Sequence, residues 1–422
     1  MHKVFTGATV VCPGTGTNKV KDVFVKDGRF ADIDDPAAKN AERVACDGLI
    51  LAPSLVDLNA NLCDPGYPER EDLASGGRAA IAGGYGTVLV SPDTRPVADD
   101  PALVRDILDR APDATEVEIL VAGAITKGLH GKELAEVGLL RQAGAAALSN
   151  AGAQFKDTSA LRFALLYAAP HGVPVLLRTG DFWLESHGAM HEGDVSIAIG
   201  LRGLPAAAEE IGTARYIALL RQTPATKLHI TGVTSHRSVE LIRSAKNDGL
   251  GLTASTPAHN LLLSDEAVQE SVYDPNCRLM PPLRSEEDRL SLVEGIRTGV
   301  IDAVTSDHQP LTRADKELEF ELAVPGAVGL ETSLNVSLKA LKGDFVLAVD
   351  ALAVRPGRLL GIDRRVATGV SADFLLWDPS TEWAVDENTL QSKCRNTPFF
   401  GQTFKGRTTA VFRKGIELRN KA

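Results

Sequence analysis

The chain has 422 residues, 44% of them hydrophobic and 24% charged, with a formal net charge of −10. That length holds roughly two or three domains, one of which can be a full barrel. The acidic balance, with no Lys/Arg cluster, argues against nucleic acid or an anionic membrane as partner. No apolar run reaches the ~18 residues of a membrane span. The start, Met1-His2-Lys3-Val4-Phe5, enters a strand-like pattern without the apolar stretch of a signal peptide. Five scattered cysteines, Cys12, Cys46, Cys63, Cys277 and Cys394, form no CxxC pair. They read as free thiols of a reducing compartment, so the expected location is cytoplasmic.

Residues 4–11 and 22–33 read as short strands separated by the turn residues Gly14, Gly16 and Gly28. The same texture returns at the other end in Ala372–Trp377 and Thr409–Phe412. Such strands bury no sheet alone, so both ends are expected to pair into one small β domain, a β-sandwich of residues 1–52 and 366–422. Between them, over 53–365, apolar strands alternate with helical stretches. Val88-Leu89-Val90 follows Leu73–Ala82, and Ile119-Leu120-Val121 follows Ala102–Arg110. Ala145–Leu148, Val173–Leu177, Leu228–Ile230, Gly251–Thr253 and Ala303–Val304 continue the series. Repeated βα units predict an α/β fold with a parallel sheet covered by helices. About eight units fit a closed (β/α)8 TIM-type barrel, with a doubly wound open sheet as the alternative.

In a barrel, chemistry sits at the C-terminal ends of the strands. After the first strand the chain reads Val56-Asp57-Leu58-Asn59-Ala60-Asn61-Leu62-Cys63-Asp64-Pro65-Gly66-Tyr67. This resembles the dihydroorotase segment in which a strand ends in His-x-His followed by Leu-Arg-Asp/Glu-Pro-Gly. Ala82–Thr87 resembles the family's AGG segment, Ile125-Thr126-Lys127-Gly128 its ITKG, and Pro281-Pro282-Leu283-Arg284 its PPLR. Asp307-His308-Gln309-Pro310 resembles DHAP, Pro325–Thr332 resembles PGxxGLxT, and Lys393–Pro398 resembles SRNTP. The resemblance runs along nearly the whole chain in order. It implies an amidohydrolase-superfamily barrel with a small β domain built from both termini.

The same resemblance implies a zinc site that this chain lacks. Dihydroorotases hold Zn²⁺ through imidazole and carboxylate and use the metal to activate water. The His-x-His positions are Asn59 and Asn61, and neutral amides bind zinc far more weakly than imidazole. The bridging position falls at Ala151, within Ser149-Asn150-Ala151-Gly152. The two later histidine positions are Arg178 and Gly232, and an arginine is no ligand. Only Asp307 survives of that set. The substrate positions differ as well: Cys63 stands for the arginine that grips the substrate carboxylate. Asp93, Met280 and Leu311 replace an asparagine, an asparagine and a histidine. The expectation is therefore no zinc and no catalytic residue, with Asp307 and His308 as vestiges. Asp307 and Arg178 should converge on the vacated metal position and pair there, with Asn59 and Asn61 completing the hydrogen bonds.

Other chemistry-bearing residues have blander readings. His187 and His191 lie in a polar stretch without the HExxH pattern and read as surface loop histidines. His229 reads as a buried, hydrogen-bonded strand histidine. Lys127, in its ITKG context, does not read as a metal-bridging lysine. Gly83, Gly84 and Gly86 read as turn glycines. The functional expectation is an inactive dihydroorotase homologue. Such a chain would be a structural subunit, and a homo-oligomer (dimer), supporting the aspartate transcarbamoylase catalytic chain in pyrimidine biosynthesis, as the resemblance to a bacterial dihydroorotase-like subunit implies. Two alternatives stay open: an active cyclic amidohydrolase, interconverting carbamoyl aspartate and dihydroorotate at an atypical site, and a small-molecule sensor.

Overall fold

The computed structural model describes residues 2–185 and 188–419. Eight parallel strands form the central sheet: β1 (Leu55–Ala60), β2 (Tyr85–Val90), β3 (Glu118–Ala124), β4 (Ala147–Ser149), β5 (Val175–Arg178), β6 (Leu228–Thr231), β7 (Leu252–Pro257) and β8 (Ala303–Thr305). They neighbour one another in sequence order. A parallel bridge between Ala60 and His308 joins the end of β1 to the segment after β8, and this closes the barrel. The open-sheet alternative is thereby excluded. The strands read as near-continuous apolar runs because each is covered on both faces; all six residues of β2 are buried.

The helices between strands start where the sequence supplies caps. Asp72 accepts from the backbone N–H of Ser75, and the Ser75 hydroxyl answers with the Asp72 N–H, opening the helix Leu73–Gly83. That helix stops at Gly84, whose φ of 93° favours glycine, so the turn reading of this glycine holds. Asp100 caps Pro101–Ala114 by accepting from the backbone N–H of Ala102, with proline in the first turn.

Two antiparallel-rich sheets make the small domain. One has four strands, ordered Arg29–Ala31, Val23–Lys26, His2–Thr6, Glu42–Ala45. The other has six, ordered Ile416–Glu417, Thr403–Arg413, Phe374–Ala384, Ile50–Pro53, Thr9–Cys12, Thr17–Val20. Strands from both ends of the chain therefore share one sheet. Phe5, Phe374 and Phe412 pack between the two sheets, with Phe374 and Phe412 stacked at a centroid distance of 4.5 Å. Among the described residues, no helix is long and apolar enough to cross a membrane.

Candidate active site

The loops at the C-terminal ends of the strands surround a cavity of about 180 Å³. Its wall includes Asn59, Asp93, Ala151, Arg178, Gly232, Met280 and Asp307. Sequence positions spread over almost 250 residues thus meet at one place. Asn61, Cys63, His308 and Leu311 are not among the lining residues.

The wall is organised by two asparagine–aspartate pairs. Asn59 Nδ2 donates to Asp307 Oδ1 at 2.7 Å. Asn61 Nδ2 donates to Asp93 Oδ2 at 3.0 Å, while Asn61 Oδ1 accepts from the Cys63 N–H at 2.8 Å. Asn59 belongs to β1 and lines the cavity, while Asn61 lies just beyond the end of that strand. Asp307 has a positive φ of 49°, a conformation rare for residues other than glycine. Burial pushes its carboxyl up to about 7, and the charge of Asp57 pushes the same way; Arg178 and the Asn59 hydrogen bond offset part of this. Burial also raises Asp93. Asp57 is fully buried, and its carboxylate accepts from both the backbone N–H and the hydroxyl of Ser306.

Arg178 does not pair with Asp307. Its Nη1 and Nη2 each reach one oxygen of Glu185 at 2.8 Å, and Nη2 also donates to the Gly152 carbonyl at 3.1 Å. The two side chains are only 12% and 11% exposed. The expected pairing fails because Glu185, on the short helix Phe182–Glu185 seven residues on, offers a two-oxygen fork to the planar guanidinium. Asp307, beside Asp57, is the poorer anion. Nothing in the sequence pattern marked Glu185 or Asp57; their importance comes from where the turn after β5 and the base of β1 bring them.

His308 points away from the cavity. Its Nδ1 accepts from the Gly329 N–H at 3.2 Å, and its Nε2 lies 3.5 Å from Glu71 in a fully buried pair. Asp307 and His308 are therefore not one acid–base couple. His229 is buried between the hydroxyls of Thr253 and Ser255, at 2.8 and 2.9 Å, and desolvation lowers it to about 3. His191 is a correction: it is buried in the short strand Met190–His191 next to Arg284, not on a surface loop. The flanking residues looked polar in sequence, but the buried Arg284–Glu209 pair draws this segment inward. His187 lies outside the described residues. Lys127 is exposed and paired with Glu133.

These residues do not fit a zinc ion. The positions that the resemblance assigns as ligands hold two amides, a methyl group, a guanidinium, a bare glycine and one carboxylate. Among the described residues no group of three His, Cys, Asp or Glu side chains is placed to hold a metal. Gly232 has φ 72°, and a Cβ there would sit 3.1 Å from Pro281 and 3.5 Å from the Arg178 side chain. A side chain at this position is strained as well as crowded.

Two outcomes follow. Asn59→His with Asn61→His is expected to leave zinc unbound at stoichiometric level, because Arg178 and Gly232 still block the remaining positions; about one zinc per chain by metal analysis of the double variant contradicts this. Asp307→Asn probes the raised carboxyl. The unfolded chain ionises near pH 4 and the folded chain near 7. A raised carboxyl supports folding fully below the unfolded value and loses that support as pH climbs to the folded one. Relative to Asp307→Asn, stability of the parent chain should fall by about 2–4 kcal/mol between pH 4 and pH 7, at ~1.4 kcal/mol per unit, and stay level above. Parallel denaturation curves across that range contradict it.

Comparison with known proteins places these features in a family. A dihydro-orotase-like family profile matches residues 48–238. The dihydroorotase of Desulforapulum autotrophicum is 39% identical over 418 residues, covering 97% of both chains. That of Geobacter metallireducens is 37% identical over 414 residues, covering 96% of both. The L-hydantoinase (dihydropyrimidinase) of Arthrobacter aurescens shares the fold, with a TM-score of 0.86 at 22% identity over 98% of this chain and 95% of that one. The dihydropyrimidinase of Brevibacillus agri does so at 0.82 and 20%, over 99% and 95%. The expectation of an inactive structural subunit is corrected by these relatives, which are named dihydroorotase along nearly their full length. That expectation equated loss of the metal ligands with loss of the reaction, whereas the cavity and a carboxyl at its wall persist. By full-length kinship the chain belongs to the dihydroorotase family.

Proposed function

We propose that the chain is an active cyclic amidohydrolase of dihydroorotase type, working at an atypical site. The observation that carries this reading is similarity over 96–97% of the chain to relatives named dihydroorotase. The cavity at the strand ends supports it, because Asp307 stands at its wall as a carboxyl able to exchange a proton near neutral pH. In ring opening, Asp307 takes a proton from water while the water oxygen bonds to the ring carbonyl carbon. The ring C–N bond then breaks, and the proton passes to the departing nitrogen. Ring closure reverses these steps. Since the donor set does not fit zinc, no step runs through a metal.

The purified full chain is expected to open dihydroorotate or an uncharged ring amide, followed by loss of ring absorbance, and to close the matching carbamoyl acid. Asp307→Asn should lower kcat by about 10²–10⁴-fold. Absence of turnover with every ring tested, charged or uncharged, or undiminished turnover in the variant, overturns the proposal.

Association with the aspartate transcarbamoylase catalytic chain is a separate proposal, resting on the resemblance alone and compatible with catalysis. Co-expression should give one large species on size-exclusion chromatography at micromolar concentration. Two separate peaks count against it.

A further inference from the structure

The cavity wall carries three ionisable side chains, Asp93, Arg178 and Asp307. The terminal nitrogens of Arg178 are committed to Glu185 and to the Gly152 carbonyl. Among the described residues, no lining cation is left to receive a carboxylate. The two remaining groups are both acids. Whatever their protonation, they offer a ligand carboxylate either like charge or neutral surface, while the cavity strips its water. Met280 adds no charge to the wall, and Cys63, buried with its thiol pushed up, adds none nearby. A ligand bearing a carboxylate is poorly matched to such a wall.

The rest of the polar wall is neutral: Asn59, Ser91, Ser149, Thr231 and Gln309 line it with amides and hydroxyls. Such groups donate and accept hydrogen bonds without carrying charge. A ring amide presents the complement, a carbonyl oxygen and an N–H. The cavity of about 180 Å³ is far above the ~10–15 Å³ that admits a single water, which leaves room for one small ring.

We infer that this cavity prefers an uncharged cyclic amide, with adjacent C=O and N–H groups and no carboxylate, over the carboxylated ring named in its relatives. The inference rests on the reading of the cavity as a cyclic-amide site. Asp93 is then the residue that chooses the ring, because an acid on the wall disfavours a ligand carboxylate.

Dihydrouracil and dihydroorotate are a matched pair that differ only in the carboxylate, so the test is calorimetric titration of the full chain with each, paired with turnover. Dihydrouracil is expected to bind at least about tenfold more tightly. Asp93→Asn should narrow that gap at least about threefold, by removing the acid. Met280→Arg, which adds an uncommitted cation to the wall, should shift the preference toward dihydroorotate, and it serves where the Asp93 variant fails to fold. Equal or tighter binding of dihydroorotate by the parent chain overturns this inference while leaving the cyclic-amide reading in place. Saturation by neither ring at about 10 mM overturns both, since that bounds the affinity near ~3 kcal/mol.

Discussion

The barrel closes where its first strand meets the segment after its last, and polar groups make that closure. The backbone N–H of Asn61 donates to the His308 carbonyl at 2.9 Å. Deeper along the strand Asn59 reaches Asp307, and deeper still Asp57 accepts twice from Ser306. Hydrogen bonds to ionised or ionisable carboxyls contribute about 1.5–3 kcal/mol each when satisfied. The seam is therefore both the fold's closing contact and the floor of the cavity. Asp57 has no direct view of a ligand, yet it sets the electrostatics of Asp307 one layer above. A change at the seam is felt in shape and in chemistry together.

Opposite the seam, the Arg178–Glu185 pair fixes the other side of the wall. Two charges this far from water are tolerated only with good geometry, and the two-pronged contact supplies it. Removing one partner of such a pair leaves the other uncompensated, at a cost of about 3–5 kcal/mol. The guanidinium is thus held as a rigid part of the wall, and it brings fixed positive charge without an open coordination position. Its charge is balanced locally, so the cavity's character is decided by the two acids and by the amides that brace them.

Much of this was legible in the sequence. The eight strands were visible as apolar runs because strands buried on both faces lack polar alternation. The cavity residues were visible because each follows a strand and is flanked by family motifs. Side-chain partners were not legible. Glu185 sits on a helix of four residues with no periodicity to announce it. His191 lies among Gly, Glu and Asp, which in sequence look solvent-facing; only the Arg284–Glu209 pair, assembled from residues 75 apart, explains its burial. Arg178 is legible as a cavity residue but its anion is not, because sequence position tells which strand end a residue occupies and not which neighbour wins its charge. The loss of ligands is legible in the sequence for a related reason: it speaks about a metal, while the kinship along the whole chain speaks about a family.

The mixed sheet of the small domain has a consequence for how the molecule is made. Leu51 and Ala52 pair with Leu376 and Leu375, more than 300 residues away in the chain. During synthesis the N-terminal strands leave the ribosome long before their partners exist, at roughly 5–20 residues per second. Until then Phe5, Val10 and Leu51 lack the C-terminal members of their cluster, among them Phe374, Leu376 and Phe412. The whole barrel is translated in that interval. Sequence-distant pairing of this kind raises contact order, and the six-stranded sheet can be completed only after the strand Phe374–Ala384 has been made.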